Sequence, residues 1–260
     1  MEPTIHELFD LSGKVAMVTG GAGFLGTSIA RALAEAGASV VISSRELSRS
    51  QEAAAALPKA KGAKHYGVEL DQMDADSIEK GFNAAVKAAG KIDILVNNAH
   101  EILAKDWSTV TAEQFNRQLA NQTGYFLLAR HVRNNAVERK AAASIIMVGS
   151  MYGVVGSYPE LYEGQTAISV AYHALKGGIV QMTRHLAVFW ASDNVRVNCM
   201  SPGPFLNVPE PFASRYCKKS PMKRLGNPKE LKGVVVLLAS DAGGYMTGQN
   251  ILVDGGWTAW

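Results

Sequence analysis

Cysteine is scarce in this chain: Cys199 and Cys217 are the only two among 260 residues. They form no CxxC pair, so neither a zinc ribbon nor a thioredoxin-like redox motif is supported. Two thiols in a chain this long suit a reducing compartment. The six histidines show no ligand spacing with cysteines or acids, and no metal site is expected. Long apolar runs are also missing, none approaching the roughly 18 residues that a membrane span needs. The start, Met1-Glu2-Pro3-Thr4-Ile5-His6-Glu7, carries acid and no apolar core, unlike a signal peptide. A cytoplasmic protein with no membrane partner is therefore expected. An excess of one charge is absent as well. Lys plus Arg is 26 against 23 for Asp plus Glu, a net charge of +3. Nucleic-acid binding needs a concentrated basic face, so that class is not supported. One basic cluster exists, Arg215, Lys218, Lys219, Lys223 and Arg224, and it reads first as a solvated loop.

What is present is an ordinary core-forming composition, 47% apolar and 19% charged. The length fits one α/β domain over residues 1–260 and leaves no room for a separate substrate domain. Short β-branched runs recur at Lys14–Thr19, Ala38–Ser44, Ala63–Leu70, Ile92–Asn97, Ser144–Gly149, Val195–Met200 and Asn250–Asp254. Several are apolar almost throughout, as expected of strands buried on both faces of a parallel sheet. Amphipathic stretches lie between them. Leu25, Ile29, Leu33 and Ala36 share one helical face, and Gly37 stands where a helix ends. The alternation predicts a seven-stranded parallel, doubly wound sheet with helices on both faces. Two regions are too irregular for that pattern, 151–171 and 202–228. Both follow strands, and so both can overhang the carboxyl edge of the sheet, where ligands of such folds bind.

The first strand runs into Thr19-Gly20-Gly21-Ala22-Gly23-Phe24-Leu25-Gly26 and then a helix. Small residues there let the backbone approach a pyrophosphate, which the helix N-terminus also favours. The end of the second strand reads Ser43-Ser44-Arg45. An acid at that point would bind the adenosine ribose hydroxyls and favour NAD(H). Arg45 instead offers a guanidinium to a 2′-phosphate, so NADP(H) is the preferred expectation and NAD(H) stays possible. Tyr172 and Lys176 stand four apart and share a helical face. A phenol titrates near 10, and a neighbouring ammonium lowers that value, so Tyr172 is a candidate acid/base with Lys176 as its tuner.

With these motifs in order, the chain resembles a short-chain dehydrogenase/reductase over essentially its full length. The glycine turn, Asp71, Asn97-Asn98-Ala99, Asn121, Ser150, the Tyr172/Lys176 pair, Pro202-Gly203 and Val253-Asp254-Gly255-Gly256 match family motifs in sequence order. The resemblance implies a Rossmann fold, a nicotinamide cofactor and four catalytic residues. Ser150 would steady the substrate oxygen. Tyr172 would move the proton, and Lys176 would bind the nicotinamide ribose and tune Tyr172. Asn121 would hold a water of the proton relay. Cofactor contacts are expected from Gly20, Gly21, Gly23, Phe24, Leu25, Gly26, Ser44, Arg45, Asp71, Asn98, Ala99, Tyr172, Lys176, Pro202 and Gly203. A homotetramer or homodimer is implied through the long helices expected at Thr111–Arg139 and Thr166–Ser192.

Two positions depart from the family. Phe24 replaces a usual glycine, and His100 follows Asn-Asn-Ala where glycine is usual. His100 could narrow the nicotinamide pocket, meet the substrate, or merely stand at the rim. Ser150 and Tyr172 are 22 positions apart, longer than the family usually has. The extra stretch carries Tyr158, Glu160, Tyr162 and Glu163, which suit sugar hydroxyls and C–H faces. The stretch resembles reductases of sugar-acid and nonulosonic-acid pathways, and Leu8–Lys14 resembles gluconate 5-dehydrogenase-like members. Expected substrate contacts are His100, Tyr152, Tyr158, Tyr162 and Phe205, with Lys218 and Lys219 drawing in an acidic substrate. The leading expectation is an oxidoreductase of a sugar or sugar acid, with a small molecule as its partner. A 3-oxoacyl reductase and a silent NADPH-binding module are the alternatives.

Overall fold

The computed structural model describes residues 2–102, 107–163, 168–206 and 208–260. Seven strands form one sheet: β1 Val15–Thr19, β2 Ser39–Ser44, β3 His65–Glu69, β4 Ile94–Asn97, β5 Ala143–Val148, β6 Val195–Pro202 and β7 Asn250–Val253. Their spatial order is β3-β2-β1-β4-β5-β6-β7, and every pairing is parallel. The eight α-helices of the described residues are α1 Ile5–Leu8, α2 Phe24–Glu35, α3 Leu47–Ala55, α4 Ala75–Ala89, α5 Ala112–Glu138, α6 Val170–Trp190, α7 Phe212–Lys219 and α8 Lys232–Ala239.

The apolar strand runs are explained by two cores. Val15 and Met17 face one core with Phe82, Tyr125, Leu128 and Ile179 from α4, α5 and α6. Their neighbours Ala16 and Val18 face the other, with Ile29, Leu33, Val235 and Leu238 from α2 and α8. Side chains alternate along a strand, so a strand covered on both sides must be apolar at every position. α5 starts where Thr111 and Gln114 form a capping box, and α2 ends before Gly37, whose φ of 104° lies in the left-handed region.

Two expectations need amendment. The stretch 202–228 was expected to be irregular, but it contains α7. That helix is only two turns long, and its buried face holds just Phe212, Ala213 and Tyr216, too short a period to read from sequence. The helix expected to begin at Thr166 is found as α6, capped by Ser169; Thr166 itself lies outside the described residues. Among the described residues no helix is long and apolar enough to cross a membrane, and no group of His, Cys, Asp and Glu could hold a metal ion.

The order reverses between β1 and β4, whose chains leave toward opposite faces of the sheet. A crevice opens there beyond the carboxyl ends of the strands.

Candidate active site

A cleft of about 440 Å³ lies at this reversal, bounded by the turns after β1, β2, β3 and β4. Its floor is the glycine turn. Gly20 has φ of 60°, and a Cβ there would meet the Ala99 Cβ at 3.0 Å. At Gly26 a Cβ would collide with the Gly20 carbonyl and lie 2.9 Å from Asn98 Nδ2. Asn98 Nδ2 donates to the Thr19 carbonyl at 2.9 Å, while Asn98 N and Ala99 N both donate to Thr19 Oγ1. Glycines let the start of α2 press onto this turn, and its N-cap, Gly23, has no side chain to occupy the first-turn amides. The cleft is thus a Cβ-free cradle ending at free helical N–H groups, a shape that fits a pyrophosphate.

Most of the expected cofactor residues meet here. Gly20, Gly23, Phe24, Leu25, Gly26, Ser44, Arg45, Asp71, Asn98 and Ala99 line the cleft. Phe24 is 47% exposed beside it. Gly21 does not line it: a Cβ there would press on Ile42 at 3.0 Å, so this glycine serves sheet packing. Pro202 and Gly203 stand apart as well. They close the end of β6 against β7, where Gly203 N donates to the Val253 carbonyl.

The second group sits at the ends of β5 and α6. Ser150 follows β5, and its Oγ accepts from Tyr152 N at 3.2 Å. Tyr172 is in the first turn of α6 and Lys176 in the next. Lys176 is fully buried; its Nζ donates to the Val148 carbonyl at 2.8 Å and lies 5.6 Å from the Tyr172 ring centre. Burial holds the Lys176 ammonium down at about 8. The tuning of Tyr172 differs from expectation. Burial pushes its phenol up to about 12, a hydrogen bond with Ser150 pulls the other way, and Tyr162 adds to the rise. Desolvation of the phenolate is the largest of these causes, and the Lys176 ammonium is turned to the Val148 carbonyl. Tyr172 is therefore a neutral acid in this state.

The Asn121 side chain is held on both sides of its amide. Its Oδ1 accepts from Glu101 N at 2.7 Å and Gln72 Nε2 at 2.9 Å. Its Nδ2 donates to the carbonyls of Glu101 and Gln118. An amide has two donor hydrogens and two acceptor sites, and all four are engaged. These bonds tie the turns after β3 and β4 to α5.

The loop residues divide. Tyr152 is buried, with its hydroxyl 2.7 Å from that of Tyr162. Tyr162 packs on Phe212 of α7, and Tyr158 meets the edge of Trp257. Together with Met151, Leu161 and Tyr216 they form an aromatic cluster on which Tyr172 rests. Phe205 is elsewhere. It is buried in the α2/α8 core against Gly226 and lines a separate small cavity with Tyr216 and Met222, away from the cleft. The basic cluster is neither free nor simply solvated. Lys219 pairs with Glu160, Arg215 Nη1 donates to the Glu163 carbonyl at 2.6 Å, Lys223 donates to the Lys218 carbonyl, and Arg224 forks onto Glu230. α7 is strapped to the 158–163 segment by the first two of these contacts.

Three residues escaped the sequence reading. Arg49 lines the cleft beside Arg45, one helical turn further along, and its spacing was the available signal. Gln72 also lines the cleft, with a buried Oε1 that has no partner. Glu101 forms a bidentate pair with Arg117 at 2.6 and 2.8 Å. Only the fold brings that pair together.

A parallel sheet with a Cβ-free turn at its crevice and a Ser-Tyr-Lys group beside it defines a dinucleotide-type oxidoreductase scaffold. The comparisons agree. A family model described as enoyl-(acyl carrier protein) reductase matches residues 21–258. The D-arabinitol 2-dehydrogenase (ribulose-forming) of Candida tropicalis is 32% identical over 97% of this chain and 95% of its own. The 2-dehydro-3-deoxy-D-gluconate 5-dehydrogenase of Formosa agariphila is 30% identical over 96% and 94%. A crystal structure of a gluconate 5-dehydrogenase from Burkholderia cenocepacia, in complex with NADP and tartrate, superposes with a TM-score of 0.89. It shares 27% identity and covers 99% of this chain and 100% of that one. The chain belongs to the short-chain dehydrogenase/reductase family and is an oxidoreductase of that family acting on CH–OH groups.

Proposed function

We propose that the protein is an NADP(H)-preferring oxidoreductase that interconverts a carbonyl and a secondary alcohol on a sugar, sugar alcohol or sugar acid. The observation that carries this reading is the join of two features. A cradle for a dinucleotide that includes Arg45 and Arg49 also includes His100, whose ring centre is 6.1 Å from that of Tyr172, the residue grouped with Ser150 and Lys176. The glycine turn would hold the pyrophosphate, and Asp71, Asn98 and Ala99 would hold the adenosine and ribose groups. Pro202 and Gly203 are assigned to the nicotinamide end by resemblance alone. Two guanidiniums beside Ser44 suit a 2′-phosphate. When bound, the nicotinamide supplies or accepts the hydride. Ser150 donates a hydrogen bond to the substrate oxygen. Tyr172, kept neutral by burial, gives its proton to that oxygen in the reducing direction and takes it back in the other. Lys176, an ammonium below about pH 8, stabilises the phenolate left behind. Asn121 fixes the segment 98–101 that forms one wall.

Sugar chemistry is supported by the named relatives and by the hydroxyls of Tyr152 and Tyr162 beside Tyr172. The family model's description supports the second reading, an acyl-carrier reductase. Against that, Arg215 and Lys219, which would meet an acidic carrier, are engaged with the 158–163 segment. A silent nucleotide-binding module is the third reading, opposed by the intact Ser150, Tyr172 and Lys176. Assembly into a dimer or tetramer in the cytoplasm completes the proposal, with Val188 and Phe189 exposed on α6 to be covered. The test is a panel of keto-sugars, sugar acids and 3-oxoacyl thioesters with NADPH and NADH. Turnover of a sugar substrate should fall about a thousand-fold in Tyr172→Phe with the fold intact. Turnover only of the thioesters, or none, overturns the sugar reading.

A further inference from the structure

His100 stands where a glycine is usual, and the structure turns its ring inward, not to the rim. The ring centre is 6.1 Å from that of Tyr172, and the residue lines the cleft. One ring nitrogen, Nδ1, lies 3.5 Å from the Asn98 carbonyl oxygen. A carbonyl accepts only, so the proton belongs on Nδ1 in the neutral ring. The other nitrogen, Nε2, is then a bare acceptor. It is buried and has no hydrogen-bond partner.

The charge around it keeps it so. Burial and the Lys176 ammonium hold the imidazolium form down at about 3, against a smaller pull from Asn98. A neutral ring with Nδ1 protonated can take a donor at Nε2 and cannot give one. A buried acceptor without a donor is costly, and the cost is relieved when a donor arrives. Carbonyls, carboxylates and thioesters offer none. A hydroxyl does.

We propose that His100 is the specificity-determining acceptor of this site: its Nε2 takes a hydrogen bond from a hydroxyl on the carbon next to the one that reacts at Tyr172. The inference rests on the oxidoreductase reading above and narrows its substrate to α-hydroxy carbonyls and the matching vicinal diols. A hydroxyl of the nucleotide ribose offers the same chemistry, and the experiment separates the two sources.

Histidine labelled with ¹⁵N reports the acceptor directly, with His100→Phe identifying the resonance among six histidines. In the full-length protein, NADP⁺ alone should leave the Nε2 signal in place, and added D-arabinitol should move it upfield. A shift with NADP⁺ alone assigns the donor to the ribose and overturns the proposal, as does no shift in either case. Kinetics give the second arm. With D-ribulose and its 1-deoxy and 3-deoxy analogues, wild type should prefer the compound that keeps one particular flanking hydroxyl. His100→Phe, which keeps the ring and removes the acceptor, should shrink that kcat/KM ratio about ten-fold. His100→Gln, which can place an acceptor near Nε2, should restore part of it. Turnover of ribulose with an unchanged ratio sinks the His100 assignment alone. Absence of turnover with every sugar sinks the functional reading, while the labelled ring still decides what His100 accepts.

Discussion

The cofactor cleft and the loop layer above it are built by different means. The cleft is shaped by backbone sterics: Gly20 and Gly26 are fixed by what a Cβ would strike, and the Asn98 side chain donates to main-chain carbonyls. The loop layer is shaped by side chains. Tyr162 meets Phe212, Trp257 stacks on Tyr216 at 4.6 Å, and Lys219 and Arg215 reach across to the 160–163 segment. Steric fixation is rigid and leaves little choice of residue. Side-chain pairing is adjustable, and its exposed ion pairs are individually weak. The half proposed to bind a constant nucleotide is the half with no freedom, and the half proposed to face the substrate keeps its freedom.

Gly26→Ala tests the rigid half most severely. Alanine is the better helix former, yet here it should cost about 3 kcal/mol by denaturant titration, because its Cβ meets backbone that cannot move. A stabilised variant would break the comparison. Replacing Arg45 and Arg49 together with Ala comes next: KM for NADPH should rise roughly 30-fold while that for NADH moves little. An equal change for both nucleotides would remove these residues from phosphate recognition.

Lys176, buried beneath Tyr172, should show in a stability profile. Its ammonium titrates near 8 in the fold against 10.5 ordinarily. Between those values the unfolded chain holds more protons, so the residue's contribution to stability rises with pH through this window, by at most about 1.4 kcal/mol per unit. Below pH 8 the buried charge is a fixed cost. Lys176→Met should flatten the rise, as followed by thermal melts from pH 7.5 to 10. The smallest effect is expected at the strap. Lys219→Ala should change stability by less than about 1 kcal/mol, since the pair is half-exposed, and move KM for substrate more than KM for nucleotide. A reversed order would mean that the layers are not independent.

The same contrast explains what the sequence made legible. Strand positions, their parallel order and the glycine turn were readable because apolar alternation and Cβ-free turns leave local marks. The convergence of Ser150, Tyr172 and Lys176 was readable from motif order. α7 was not, because its two turns are stabilised by residues some 50 positions away, Arg215 on Glu163 and Lys219 on Glu160. Phe205 looked like a substrate contact by its place after β6, but Gly226 gives its ring a place in the core. The burial that raises Tyr172 and the four bonds that occupy Asn121 depend on neighbours that spacing does not reveal.

The Asn121 tie has a consequence for redesign. Its one amide clamps the turn that carries Gln72, on the nucleotide side, to the turn that carries Glu101, next to His100. An engineer who rebuilds residues 71–74 to change cofactor therefore also tugs on the wall that carries His100. The two specificities share a single bolt, and altering one independently of the other requires a new fastening for both.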